Sequence, residues 1–325
     1  MPCYSPLKGY RSRLTTDNGK RKIVFNTMDG YSDLPVTVPC GQCIGCRLER
    51  SRQWAVRCYH EASLYEKNCF ITLTFNKENL PVDRSLDVRT FQLFMKKLRK
   101  KYKKENPYRK KENPDLYQQF NEKHAIRFYH CGEYGDKNGR PHYHACIFNH
   151  DFTDKIYWSK TKNGDKLYRS EELEDLWPYG FSTIGEVTFQ SAAYVARYIM
   201  KKVNGKNSAY HYTDYNPDTG EILSERKPEY TTMSRRPGIG KKWLEKYKSD
   251  VFTGDFIILN GKKIRPPKFY DGQFEITNLD EFKLLKKTRK NNAKKHATNN
   301  TPERLEIRKK IQELKLRRLE RNHDA

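Results

Sequence analysis

Ala125-Ile126-Arg127-Phe128-Tyr129-His130-Cys131-Gly132-Glu133-Tyr134-Gly135, then Asp136-Lys137-Asn138-Gly139, then His142-Tyr143-His144-Ala145-Cys146-Ile147-Phe148 is the stretch from which the fold is read. Two β-branched and aromatic runs joined by a tight, glycine-bounded connection predict an antiparallel hairpin. Alternate residues of a strand share a face, so His142 and His144 present two imidazoles side by side. The partner strand ends near Glu133 and brings a carboxylate next to them.

Working outward, Cys69-Phe70-Ile71-Thr72-Leu73-Thr74-Phe75 is short and apolar and stops at Asn76, which predicts a buried strand. Ser85 or Asp87 can cap a helix running to about Lys104, with Phe91, Phe94, Met95 and Leu98 as its apolar stripe. The basic run Lys96 to Lys104 suits the negative end of the helix dipole and offers a surface to phosphates. A polar loop fills 105–118. Trp177 to Phe181 reads as a turn and Ile184 to Phe189 as a strand. Ser191 then caps a helix from Ala192 to about Lys202, ended by Asn204-Gly205, on which Tyr194 and Tyr198 lie four residues apart on one face. Hairpins with helices between them predict an α+β fold, an antiparallel sheet with helices on one face.

The flanks are less regular. Residues 1–38 read as an irregular arm, and Arg47 to Lys67 as a helix. From Tyr210 to Tyr270 no period holds, and Ser234-Arg235-Arg236-Pro237-Gly238-Ile239-Gly240 is a basic turn. Asn291 to Thr301 breaks the basic tail, after which Arg304 to Arg321 forms an exposed amphipathic helix. The expected organisation is an N-terminal arm with a Cys-rich extension and a helix over 1–60, a core over 61–205, a basic accessory segment over 206–275 and a basic helical tail over 276–325.

The chain carries 64 Lys and Arg against 40 acids, a formal charge of +24. An excess of this size calls for a polyanionic partner. A membrane surface would want a basic helix with apolar anchors; here the charge is spread along the chain among 22 Tyr and 16 Phe. Rings beside cations suit single-stranded nucleic acid, whose unpaired bases stack on aromatics. Neither a long apolar run nor the charged-then-apolar start of a signal peptide is present, so a soluble intracellular protein is expected.

Eight cysteines without secretory signals do not predict disulfides. Cys40, Cys43 and Cys46 overlap two CxxC units with glycines between them, and Cys3 lies upstream. Four thiolates would complete a tetrahedral structural zinc site. Cys58 and Cys69 compete with Cys3 for the fourth position, and an iron–sulfur cluster uses the same spacing. Cys131 and Cys146 read as plain core residues.

At the hairpin, Glu133, His142 and His144 form a mixed oxygen and nitrogen set suited to Mg2+ or Mn2+ with positions open for phosphate oxygens. A non-haem iron centre uses the same donors, and a lone His-x-His is more often packing. The tyrosines break that tie. A free phenol has pKa near 10 and is roughly one part in a thousand phenolate at neutral pH, so it becomes a nucleophile only where a metal or base helps it. Lys201, one turn beyond Tyr198, can stabilise the attacking oxygen or the phosphate. Arg197, Lys202, Arg235 and Arg236 are candidate DNA contacts.

Phe70-Ile71-Thr72-Leu73-Thr74, Glu133 with Pro141-His142-Tyr143-His144, and Tyr194-Val195-Ala196-Arg197-Tyr198-Ile199-Met200-Lys201 together resemble the three motifs of HUH-superfamily rolling-circle replication initiators. The Met1-Pro2-Cys3 start, the cysteine cluster and the Ser234–Gly240 segment are similar to the gokushovirus branch of the microviruses. The resemblance spans roughly 1–245. It implies an HUH endonuclease-like core in which Tyr194 or Tyr198 nicks the plus-strand origin, keeps the 5′ phosphate and frees a 3′ hydroxyl. The other tyrosine then closes the circle. It further implies single-stranded origin DNA, a host helicase and a host DNA polymerase as partners and the host bacterial cytoplasm as location, while the spread of charge along the chain predicts no membrane partner. No GxxxxGK[ST] loop is present, so unwinding falls to the helicase. The alternatives are an HUH-type transposase or relaxase, or a non-catalytic zinc-stabilised DNA-binding protein.

Overall fold

The computed structural model describes every residue except 1–2, 18, 20, 136–138, 162–163, 198–207, 217 and 325, and the side chains of 317–324. The chain divides into two units, Met1–Arg50 with Asn278–Ala325, and Ser51–Thr277.

The first unit holds three antiparallel strands, β1 (Leu7–Thr15), β2 (Arg21–Val24) and β3 (Gly30–Val38), in the order β2-β1-β3. The expected irregular arm is therefore a sheet. Its inward positions include Gly9, Ser12 and Gly30, so no apolar alternation marks it. A Cβ on Gly9 would come within 2.8 Å of the Ile23 side chain, and one on Gly30 within 2.5 Å of Tyr10. Close backbone approach, not side-chain bulk, packs this sheet. Helix α1 (Ile44–Ala62) begins here and continues into the second unit.

The second unit is built on β4 (Asn68–Phe75), α2 (Val88–Lys101), α3 (Pro114–Lys123), β5 (Arg127–Tyr134) and β6 (Pro141–Phe148). It continues with β7 (Ile156–Lys160), β8 (Lys166–Arg169), α4 (Glu171–Leu176), β9 (Gly180–Gly185), α5 (Phe189–Arg197) and α6 (Ser208–Tyr212). Then come β10 (Thr213–Tyr215), β11 (Ile222–Glu225), β12 (Tyr230–Met233), α7 (Lys241–Gly254), β13 (Ile257–Leu259), β14 (Lys262–Ile264) and α8 (Lys268–Thr277). In the first unit, α9 (Leu279–Lys294) and α10 (Pro302–Asp324) complete the chain.

Seven strands form one antiparallel sheet in the order β12-β5-β6-β4-β9-β8-β7. Helices cover both faces, not one. On one face Cys69, Ile71 and Leu73 pack with Phe91, Phe94, Met95 and Leu98 of α2 and with Leu173 of α4. On the other, Tyr129, Cys131, Cys146 and Phe148 pack with Ala55 and Cys58 of α1 and with Ala192, Val195 and Ala196 of α5. Double burial explains why β5 and β6 read as nearly continuous apolar runs. Asp87, not Ser85, caps α2 by accepting from the backbone N–H groups of Arg89 at 3.1 Å and Thr90 at 3.0 Å, worth about 1 kcal/mol. Arg99, within the expected phosphate-facing run, turns inward and donates twice to the Ile126 carbonyl.

The region expected to be irregular between Tyr210 and Tyr270 supplies β12, an edge strand of the central sheet paired with β5. Gly132 of β5 accommodates it: a Cβ there would lie 2.7 Å from the Tyr230 ring. The expected strand Ile184 to Phe189 is shifted; the strand is Gly180–Gly185, and Phe189 opens α5. Gly180 has φ +153°, and a Cβ there would sit 2.4 Å from the Thr74 carbonyl, so glycine starts the strand against β4. No helix among the described residues is long and apolar enough to cross a membrane.

Candidate active site

The β5–β6 ladder sets Glu133 opposite His142 and Cys131 opposite His144, and the β4–β6 ladder sets Thr72 opposite His144. Paired residues project to the same side of a sheet, so the three candidate ligands share one face. His144 Nε2 meets Glu133 Oε1 at 2.8 Å, with both side chains buried. Thr72 Oγ1 meets His144 Nδ1 at 3.0 Å. A hydroxyl both donates and accepts, so Thr72 supports either imidazole tautomer. The His142 ring centroid lies 6.4 Å from that of His144. Its Nε2 occupies the space over Gly135, where a Cβ would come within 2.7 Å.

Helix α5 brings the tyrosine. Ser191, expected as its cap, stands one turn inside: the Thr188 N–H donates to Ser191 Oγ at 2.8 Å and the Ser191 N–H donates to Thr188 Oγ1 at 3.1 Å. This reciprocal pair works as a capping box, with Thr188 at the cap. The helix is held beneath by Ser51 of α1, whose hydroxyl donates to the Ala193 carbonyl at 3.1 Å. Tyr194 projects onto the site, its ring perpendicular to His144 at 5.2 Å and edge-on to Phe70 at 6.4 Å, with 36% of its surface exposed. The exposed Arg197 guanidinium lies 6.0 Å from the Tyr194 ring. Tyr198, Lys201 and Lys202 lie outside the described residues.

A carboxylate oxygen and an imidazole nitrogen already converge at Glu133 and His144, and the donor types suit a hard or borderline divalent ion. Among the described residues, though, it is the cysteines and not this trio whose donor atoms all come within 4.8 Å of one another. Cys3, Cys40, Cys43 and Cys46 form that cluster and could hold a metal ion. Cys3 Sγ lies 3.8 Å from Cys40 Sγ and 3.9 Å from Cys43 Sγ, matching the edge of about 3.8 Å that a tetrahedron with metal–sulfur bonds of ~2.3 Å requires. Backbone N–H groups of Tyr4, Cys40 and Cys43 point at Cys43, Cys3 and Cys40 sulfurs at 3.2–3.3 Å. Burial alone would push the Cys43 thiol up, but the Tyr4 and Cys46 backbone and the neighbouring thiols outweigh it and bring the group down to about 6. Cys58 and Cys69, the competitors for the fourth position, are core residues, as are Cys131 and Cys146.

The family described as replication-associated protein ORF2/G2P matches residues 68–203, from β4 through α5. Replication-associated protein VP4 of Bdellovibrio phage phiMH2K is 35% identical over 87% of this chain and 80% of its own length. The chain belongs to this family of phage replication-associated proteins. Replication-associated protein ORF2 of Spiroplasma virus 4 is 31% identical over 80% of this chain and 75% of its own. Replication-associated protein ORF4 of Chlamydia phage 1 is 27% identical over 75% of this chain and 55% of its own. No solved structure matches.

In this family member, the matched segment carries Thr72, Glu133, His142, His144 and Tyr194 together. Thr72 and Gly135 also shape the site. Thr72 is found by strand alternation opposite His144, and Gly135 by its place at the end of the hairpin strand. The basic Ser234–Gly240 turn lies outside the matched segment and is fixed by a buried ion pair. Arg127 Nε donates to Glu61 Oε1 at 2.5 Å, Glu61 Oε2 accepts from the Gly240 N–H at 2.6 Å, and Arg127 Nη2 donates to the Pro237 carbonyl at 2.7 Å. Gly240 adopts φ +77°, where a Cβ would crowd the Tyr270 hydroxyl at 2.6 Å. The glycines thus serve the fold, while Arg235 and Arg236 face solvent.

Proposed function

We propose that the chain initiates rolling-circle replication of a small single-stranded DNA phage by nicking and rejoining its plus strand through tyrosine. The observation that carries this is Tyr194 standing edge-on to His144, which itself bonds Glu133. The phenol oxygen of Tyr194 or Tyr198 attacks the origin phosphorus, a phosphorus–tyrosine oxygen bond forms, and the bond to the 3′ oxygen breaks. The tyrosine keeps the 5′ phosphate, and the 3′ oxygen leaves as a hydroxyl carrying the proton the phenol gives up. Rejoining is the reverse transfer, so no nucleotide is hydrolysed. Glu133, His142 and His144 would hold Mg2+ or Mn2+, which when bound polarises the scissile phosphate and absorbs charge on its oxygens. Thr72 orients the His144 ring. Lys201 offers a cation to the phosphate, and Arg197, Lys202, Arg235 and Arg236 offer cations to the DNA backbone.

The cysteine cluster completes the cofactors with a structural Zn2+, a reading supported by the sulfur spacings. The relatives' shared designation supports a role in phage replication. Origin DNA and the host's helicase and polymerase would be its partners, in the bacterial cytoplasm. Incubation with origin-bearing single strands and Mn2+ tests the reading. It is expected to yield a covalent protein–DNA adduct that disappears in the Tyr194→Phe/Tyr198→Phe double variant. Salt-sensitive binding without an adduct would instead favour a zinc-stabilised DNA-binding protein.

A further inference from the structure

Cross-strand rows extend the site face toward the far edge of the central sheet. One row runs Glu133, His142, Thr74, Phe181 across β5, β6, β4 and β9. The next runs Cys131, His144, Thr72, Thr183. Tyr168 pairs with Ile184, which sets Arg169 beside Thr183, and Arg169 pairs with Ile156. Side-chain contacts agree with this register. Ser182 and Ile184 are buried on the opposite side, and a Cβ on Gly185 would touch both Leu167 and Phe70. Helices α1 and α5 pack over β5 and β6. Beyond β4, the same face carries Phe181, Trp158 and Ile156, which keep 63%, 59% and 73% of their surfaces exposed. Arg169 Cζ stands 5.0 Å from the Trp158 ring, and its guanidinium is held there by Glu174 Oε1 at 2.7 Å.

Two exposed rings on one face, a cation on one of them and a chain charge of +24 fit one class of ligand. Bases of a single strand offer flat apolar faces on a polyanionic backbone, whereas a duplex hides those faces in its own stack. We propose that this face of β9, β8 and β7 is a base-stacking track for single-stranded DNA, with Phe181 nearest the site and Trp158 farther out. Strands about 4.8 Å apart place Phe181 roughly 10 Å from His142 along its row, within reach of the nucleotides flanking a phosphate bound at Glu133 and His144. The track rests on the reading of that cluster as the nicking site for its direction, but not for its binding.

Binding is therefore measured on the full, zinc-loaded chain with no Mg2+ or Mn2+ added, using a fluorescent oligothymidylate and a duplex of equal length. Phe181→Ala and Trp158→Ala are each expected to weaken single-strand binding roughly five- to a hundred-fold, the range that base–aromatic stacking covers. Duplex affinity and the slope of log affinity against log salt should stay unchanged, because no cation is removed. Phe181→Trp and Trp158→Phe should restore binding. Unchanged single-strand affinity in the double alanine variant overturns the track, as does an equal loss for duplex. Loss of self-association with DNA binding intact also overturns it, and makes the face a contact between copies. A wild-type chain that forms no adduct yet shows ring-dependent single-strand binding would sink the nicking reading and leave the track standing.

Discussion

The ring of Tyr194 meets that of His144 at 90°, centroids 5.2 Å apart, while the far side of the same imidazole network ends on Glu133 at 2.8 Å. A phenol from α5 and a carboxylate from β5 thus sit about one histidine of β6. Tyr194→Phe keeps the ring edge against His144 and Phe70 and removes only the hydroxyl. Its unfolding free energy should stay within about 0.5 kcal/mol of the parent, as for a change away from the packed core. In combination with Tyr198→Phe, adduct formation on denaturing gels should fall at least about a thousand-fold. A double variant that still forms adduct would remove both tyrosines from the chemistry.

Thr72→Val removes the hydroxyl behind His144 without changing the strand. Loss of such an outer partner commonly costs about 10- to 100-fold in metal affinity or activity. The Mn2+ concentration giving half-maximal cleavage should rise accordingly, and Thr72→Ser should restore it. Gly135→Ala acts on the other imidazole, since its methyl would lie 2.7 Å from His142 Nε2. Cleavage should fall with little change in melting temperature, and an active Gly135→Ala chain would show that His142 has room to spare.

For the cysteine cluster, purified protein should contain about one zinc per chain and no iron, measured by elemental analysis. Co2+ taken up in its place should give the thiolate charge-transfer bands of a tetrahedral sulfur site. Cys43→Ser and Cys3→Ser should both lose the metal, and Cys58→Ser should keep it. Stoichiometric iron with sulfide would replace zinc by a cluster.

Glu61 is bonded to Arg127 and to the Gly240 N–H in the interior. Glu61→Ala leaves a buried guanidinium without its carboxylate, a change that typically costs about 3–5 kcal/mol. Urea unfolding should report it, and protease should cut the 234–240 turn sooner. A loss below about 1 kcal/mol would mean that Arg127 finds solvent.

Acid should destabilise the second unit through histidines buried neutral. Burial brings His60, stacked on Trp243 at 3.4 Å, down to about 3, and His150 down to about 4. Burial also holds His130 well below the usual imidazole range. In the unfolded chain these groups take up protons near pH 6.5, while the folded chain does not. Stability is therefore unaffected above about pH 6.5 and declines as pH falls toward 3, by about 1.4 kcal/mol per pH unit for each such histidine. Melting curves between pH 7 and 4 should show this slope, and it should be shallower in His60→Gln.

The hairpin and its histidines were legible because alternation and a glycine turn are local signals, and Glu133 followed from the hairpin alone. Tyr194 was legible from the four-residue spacing of the tyrosines. The register of its helix was not, because Val187-Thr188-Phe189 looks like a strand until the Thr188 hydroxyl closes on Ser191. Strand β12 is four residues long and pairs with β5 about a hundred positions upstream, so no window of sequence contains both halves of its signal. In β1 to β3 the inward positions include glycines, and a pattern built on hydrophobicity has nothing there to detect.

The placement of β12 also governs when a newly made chain becomes complete. Until residues 230–233 have left the ribosome, the strand bearing Glu133 presents a bare row of amides and carbonyls to whatever lies alongside. The edge closes only after the tyrosine helix has been synthesised. A truncated product lacking Tyr230 therefore inherits Glu133, His142, His144 and Tyr194 but not a finished sheet to hold them, which, on the nicking proposal, would tie strand cutting to translation past that point.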